Sequence, residues 1–151
     1  MVRFLHELDW LCMKIFVSYT TRDFYINRSL LEMVSSLLSR YGPHYIDLLH
    51  NNALDKQCHV EWMLAQAQLL ILIDSRSVNQ SEWVRWELDA AEKNRIPIIR
   101  VTASADQNET LVNLKSAVDQ EFEKLTGSST FRPHGLHRTS FPARCASKLA
   151  S

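Results

Sequence analysis

The sequence predicts one α/β domain: a central parallel sheet of four to five strands with helices on both faces. Three observations predict it. Short β-branched runs alternate with helical patterns from residue 14 to residue 101, the order that builds a parallel sheet. The most apolar run, "LLILID" at 69–74, shows no polar alternation, as a strand covered on both faces requires. The chain has 151 residues, of which 46% are hydrophobic and 23% charged, enough to bury a single core.

The elements follow in order. "KIFVSY" (14–19) is β-branched and aromatic, hence a buried strand. "TTRD" turns the chain, with Thr21 or Asp23 able to cap a helix. From Phe24 to Arg40, Leu30, Leu31, Val34, Leu37 and Leu38 keep helical spacing. Gly42 and Pro43 end that helix. "HYIDLL" (44–49) reads as a second strand, "HNNALDKQ" (50–57) as a polar loop, and 57–67 as a helix with Val60, Leu64 and Ala67 on one side. After the central strand, Asn79 and Glu82 resemble a capping box, opening a helix that runs to about Asn94. "IPIIRV" (96–101) is a fourth strand, with Pro97 at its beginning. "ETLVNLKSAVDQEFEKL" (109–125) is a last amphipathic helix.

The flanks read differently. Met13 opens "MKIFVSY", so residues 1–12 are expected to be an N-terminal extension, either a start-site addition or a short helix. The domain is expected over 13–126. Residues 127–151 are rich in Ser, Pro, Arg and His without periodicity, and are expected to form a flexible tail.

Composition excludes several functions. Seventeen basic and seventeen acidic residues cancel, so no footprint for nucleic acid or an anionic membrane shows. No apolar run reaches transmembrane length. The three cysteines are far apart without a C-x-x-C, which argues against a disulfide frame or thiolate zinc site and for a reducing, cytoplasmic setting. No H-x-x-x-H or HExxH joins the six histidines, so no metal site is expected. With three glycines in the chain there is no phosphate-cradling loop. Ser18 lacks the G-x-S-x-G elbow of a hydrolase nucleophile.

One charge is out of place. At about 100° per residue, Val84, Leu88 and Ala91 form the apolar stripe of the helix at 81–93, and most of its charges gather opposite. Glu87 falls between that stripe and Trp83. A carboxylate there must be paired, hydrogen-bonded or held at the lip of a cleft. The plain structural role is a buried ion pair with an arginine, or a cap on a loop amide. The chemical role follows from position. Ligands of open parallel sheets bind beyond the carboxyl ends of the strands, where the loops 19–23, 47–56 and 74–81 meet. Trp83 lies four residues before Glu87 and shares its face. A carboxylate beside an aromatic ring suits a cationic, flat or sugar-bearing ligand, and can offset positive charge developing on a sugar carbon.

Four motifs in order resemble the Toll/interleukin-1 receptor (TIR) domain family. The first strand carries F-[IV]-S-[YH]-x-x-x-D as Phe16, Val17, Ser18, Tyr19 and Asp23. Asp47 matches the acidic residue before the so-called BB loop. Ser81, Trp83, Glu87 and Leu88 match S-x-W-x-x-x-E-[LI], and Ile96–Ile98 resemble the fourth-strand pattern. The loop departs from the family in lacking glycine or proline.

The resemblance implies a flavodoxin-like sheet and two functional classes. Many members are assembly scaffolds. Many bacterial members cleave NAD+ at the nicotinamide–ribose bond, often in anti-phage defence, and in them the residue matching Glu87 is catalytic. It implies Glu87 as the catalytic residue, with NAD+ as substrate and no cofactor. By their types and positions around the crevice, Tyr19, Thr20, Thr21, Arg22, Asp47, Ser77 and Trp83 are expected to bind the substrate. The resemblance also implies self-association through the BB loop (48–56), or pairing with another TIR or sensor protein. An NAD+ hydrolase or cyclase is the first expectation; a non-catalytic interaction module is the second. A relative of the nucleoside deoxyribosyltransferases is a third, though the Ser-Tyr-x-x-x-Asp box is not their mark.

Overall fold

The computed structural model describes residues 13–127. The expected extension at 1–12 and, apart from Gly127, the expected tail at 127–151 lie outside the described residues. Within them the chain runs β1 (Ile15–Ser18), α1 (Arg28–Leu38), β2 (His44–Ile46), α2 (Asp47–His50), α3 (Lys56–Gln66), β3 (Leu69–Asp74), a 3-10 turn (Val78–Gln80), α4 (Glu82–Lys93), β4 (Ile98–Thr102) and α5 (Gln107–Gly127). The four strands form one parallel sheet in the order β2-β1-β3-β4. This is the flavodoxin-like α/β arrangement that the sequence predicts.

Alternation of side chains divides the core between the two faces. Ile15 and Val17 of β1 and Leu69, Ile71 and Ile73 of β3 pack with α1 (Leu30, Leu31, Val34) and α5 (Leu114, Val118). Phe16, Leu70 and Leu72 point the other way, against α3 (Val60, Leu64) and α4 (Val84, Ala91). Leu69 to Ile73 are fully buried, because β3 is an interior strand with helices above and below. No helix among the described residues is long and apolar enough to cross a membrane.

Local chemistry moves several boundaries. The helix expected from Phe24 begins at Arg28, and its cap is Asn27, whose side chain accepts from Leu30 N at 3.1 Å. Neither Thr21 nor Asp23 caps it; Asp23 is turned to another loop. The second strand stops at Ile46. Ile46 N donates to His50 Nδ1 at 2.9 Å and Asn51 N to the Asp47 carbonyl at 3.1 Å, which curls 47–50 into a helical turn. Ser81, not Asn79, caps α4, its hydroxyl accepting from Val84 N at 3.3 Å; Asn79 lies in the preceding turn. β4 starts at Ile98, since Ile96 N is spent on the Ala91 carbonyl at 2.9 Å. Cys58 in α3 is disulfide-bonded, whereas the number and spacing of the cysteines argue against a disulfide frame.

Candidate active site

β1 and β3 are neighbours, but the chain leaves them toward opposite edges: β2 follows β1 on one side and β4 follows β3 on the other. Connections that part in this way open a crevice beyond the carboxyl ends of the strands. Ser18 is the last residue of β1, and by alternation it points to the same face as Phe16, toward α4.

Glu87 comes down from α4 into that crevice. It is 4% exposed, and Ser18, at 1%, donates its hydroxyl to Glu87 Oε2. Among the described residues this is the hydrogen bond Glu87 makes; Oε1 accepts none, and no Lys, Arg or His lies within ion-pair distance. The arginine pair and the loop-amide cap that its position also allowed are therefore absent among the described residues. Burial of a carboxylate with no cation favours the neutral form. Burial pushes the Glu87 carboxyl from an ordinary 4.5 up to about 7; the Ser18 hydrogen bond opposes this and the charge of Asp47 adds to it.

β2 and the turn after it supply the second wall. Asp47 Oδ1 accepts from Tyr45 Oη at 2.8 Å and from Asn51 Nδ2 at 2.7 Å. Tyr19 Oη accepts from Leu48 N at 2.9 Å. Burial pushes the Tyr19 hydroxyl up to about 12; the Leu48 amide opposes this, and the charges of Asp47 and Glu87 reinforce it. Tyr45 is raised as well, chiefly by burial and then by its bond to Asp47. Both tyrosines therefore remain neutral hydroxyls near neutral pH.

Trp83 sits one turn before Glu87 and is 43% exposed. Its ring stacks on Trp86, with centroids 5.7 Å apart and planes at 26°. The pair leaves an open aromatic surface on α4, of the kind that accepts a flat ligand.

A third contact joins the loops after β1 and β3. Asp23 accepts from Ser77 N and from Ser77 Oγ, both at 2.8 Å. Burial would raise the Asp23 pKa. The Ser75 and Ser77 contacts and the charge of Arg76 outweigh it and hold the carboxyl below its ordinary 3.8. The buried Ser75 hydroxyl lies near enough to favour the charged form without meeting hydrogen-bond geometry.

The structure thus brings Glu87, Tyr19 and Asp47 together, with Trp83 on the same helix face. Thr20, next in the chain to Tyr19, is buried, its hydroxyl accepting from Arg22 N at 3.4 Å. Thr21 and Arg22 are exposed, and no hydrogen bond or ion pair among the described residues joins them to Glu87. Ser77 is engaged by Asp23, and Asp47 by its own turn. Ser18, Tyr45 and Asn51 are the members that sequence reasoning missed. The period-two alternation of "KIFVSY" places Ser18 on the face of Phe16, a signal that was available; no local pattern announces Tyr45 or Asn51.

The fold agrees with what similarity to known proteins shows. No curated protein matches the chain. The model of the family described as "Thoeris protein ThsB, TIR-like domain" matches residues 16–108, a span that runs from β1 into the start of α5 and includes every residue of the crevice named above. Such a match points to bacterial anti-phage signalling. With its flavodoxin-like sheet, its Ser18–Glu87 crevice and this match over most of its length, the chain belongs to the Thoeris ThsB TIR-like domain family.

Proposed function

We propose that this protein cleaves the nicotinamide–ribose bond of NAD+, as a hydrolase or cyclase, within bacterial anti-phage signalling in the cytoplasm. The observation that carries the reading is Glu87: a buried carboxylate that meets no cation among the described residues and takes the Ser18 hydroxyl at the switch point of the sheet. Nicotinamide in NAD+ is already a cationic leaving group, so its departure needs no general acid. The bond breaks with its electron pair going to nicotinamide, and positive charge develops on the ribose carbon. An ionised Glu87 shielded from water stabilises that charge more in the transition state than in the ground state. Water, or a group of the same nucleotide, then completes the transfer.

The other residues take supporting roles. Trp83 with Trp86 offers a stacking surface for a base, and Tyr19 lines the wall opposite. Thr20, Thr21, Arg22 and Ser77 lie on the two loops that flank the crevice, where a ribose or pyrophosphate would reach them. Asp47 shapes the turn on which the BB loop begins. That loop exposes Leu48 at 45% and Leu54 completely, and we assign self-association, or pairing with another TIR or sensor protein, to it.

The test is NAD+ consumption by the purified protein at high concentration, beside Glu87→Ala. Release of nicotinamide by the wild type and none by a folded Glu87→Ala is the expected result. Equal release by both would remove Glu87 from the reaction; release by neither, with a binding partner supplied, would favour the scaffold.

A further inference from the structure

Glu87 is a long side chain on a surface helix, with three rotatable bonds between Cα and the carboxylate. Reaction geometry tolerates little of that freedom, since a misplacement of about 1 Å can cost on the order of a hundredfold in rate. Something must fix the group. No cation does so among the described residues, and the charge of Asp47 repels it. The Tyr45 hydroxyl is given to Asp47, and Tyr19 Oη takes the Leu48 amide. What reaches the carboxylate is the Ser18 hydroxyl.

Ser18 has the rigidity that a long side chain lacks. β1 is paired on both sides, with Val17 beside Ile46 of β2 and beside Ile71 of β3, and Ser18 itself in register with Leu72. A hydrogen bond from this position ties the tip of Glu87 to the centre of the sheet. It is also selective between the two oxygens, since it reaches Oε2 and leaves Oε1 without a donor among the described residues.

We propose that Ser18 is the positioning residue of the Glu87 carboxylate, anchoring Oε2 to the sheet so that Oε1 is the oxygen presented to the ribose of the bound nucleotide. The proposal rests on the NAD+ reading above and deepens it. Ser18 touches no reacting atom; it acts through Glu87. Burial and the charge of Asp47 favour a protonated Glu87, and the Ser18 bond is the one contact that favours the charged form. The neighbouring hydroxyls of Tyr19 and Tyr45 stay neutral near neutral pH, so Asp47 and Ser18 are the described groups that set the balance.

The experiment compares wild type, Ser18→Ala and Ser18→Cys with two readouts. One is the titration midpoint of the Glu87 carboxyl by carbon-13 NMR, which needs no turnover. The other is the pH profile of kcat/KM for NAD+, whose acid limb reports the free enzyme. A hydrogen bond to a charged group corresponds to about one to two pH units. Ser18→Ala should raise the midpoint by that amount, move the acid limb with it and lower kcat/KM at pH 7 by about tenfold. The weaker thiol donor of Ser18→Cys should fall between the two. A folded Ser18→Ala whose midpoint and acid limb both stay in place overturns the proposal, as does an activity loss equal at every pH. If wild type leaves NAD+ intact, the functional reading fails instead, and the NMR midpoint still decides whether Ser18 holds the carboxylate.

Discussion

Replacing Glu87 by Gln should make this protein more stable at alkaline pH while removing its chemistry. The carboxyl is displaced by burial from an ordinary 4.5 to about 7. At about 1.36 kcal/mol per pH unit of displacement, the ionised form costs the fold about 3 kcal/mol. The sign follows from where the proton sits. The folded protein holds the proton more tightly than the unfolded chain, so this stability is fully present below about pH 4.5 and is lost as pH rises through about 7. Gln has the same shape, accepts the Ser18 hydrogen bond and never ionises. Urea unfolding followed by tryptophan fluorescence should place Glu87→Gln about 3 kcal/mol above wild type at pH 8.5, with the gap falling below about 1 kcal/mol at pH 5. NAD+ cleavage should be lost at both. If Glu87→Gln is instead the less stable protein at pH 8.5, the carboxylate is engaged by a partner that favours its charge, and the reasoning fails. The expected result is a site whose function is kept at the expense of stability.

Two further perturbations probe the frame and the rim. Asp23→Ala leaves the Ser77 amide and hydroxyl without their acceptor and should lower unfolding stability by about 1–3 kcal/mol at pH 7. Because the Asp23 carboxyl is held below its ordinary 3.8, that loss should shrink as pH falls below this value; a cost independent of pH would refute the assignment. Leu54→Glu changes a completely exposed side chain and should alter stability by less than about 0.5 kcal/mol. It should also weaken the rise of specific NAD+ cleavage with protein concentration, and an unchanged concentration profile would remove Leu54 from assembly.

Some of the site was legible without coordinates because it depends on local periodicity. "LLILID" has no polar alternation, and Leu69 to Ile73 are buried on both faces. The helical wheel that sets Glu87 apart from Asp89, Glu92 and Lys93 is arithmetic on one segment, and the residue is 4% exposed while those three are not buried. Caps were less legible. Thr21, Asp23, Asn27 and Ser81 all have the short polar side chain that capping requires, and the choice among them is made by the geometry of the loop. Asp23 lost the cap because Ser77, 54 residues away, took its carboxylate.

The sequence by itself determined the order of elements, the interior strand and the misplaced carboxylate, since each follows from spacing along one stretch of chain. Tertiary structure alone decided what Glu87 meets. The helical wheel turns Glu87 inward but does not say whether an arginine, an amide or a hydroxyl waits there. Strand alternation turns Ser18 toward one face but does not say which helix covers it. Sixty-nine positions separate the two. They meet because β1 lies in the middle of the sheet and α4 crosses that face at its carboxyl end, a packing of whole elements that no local pattern encodes.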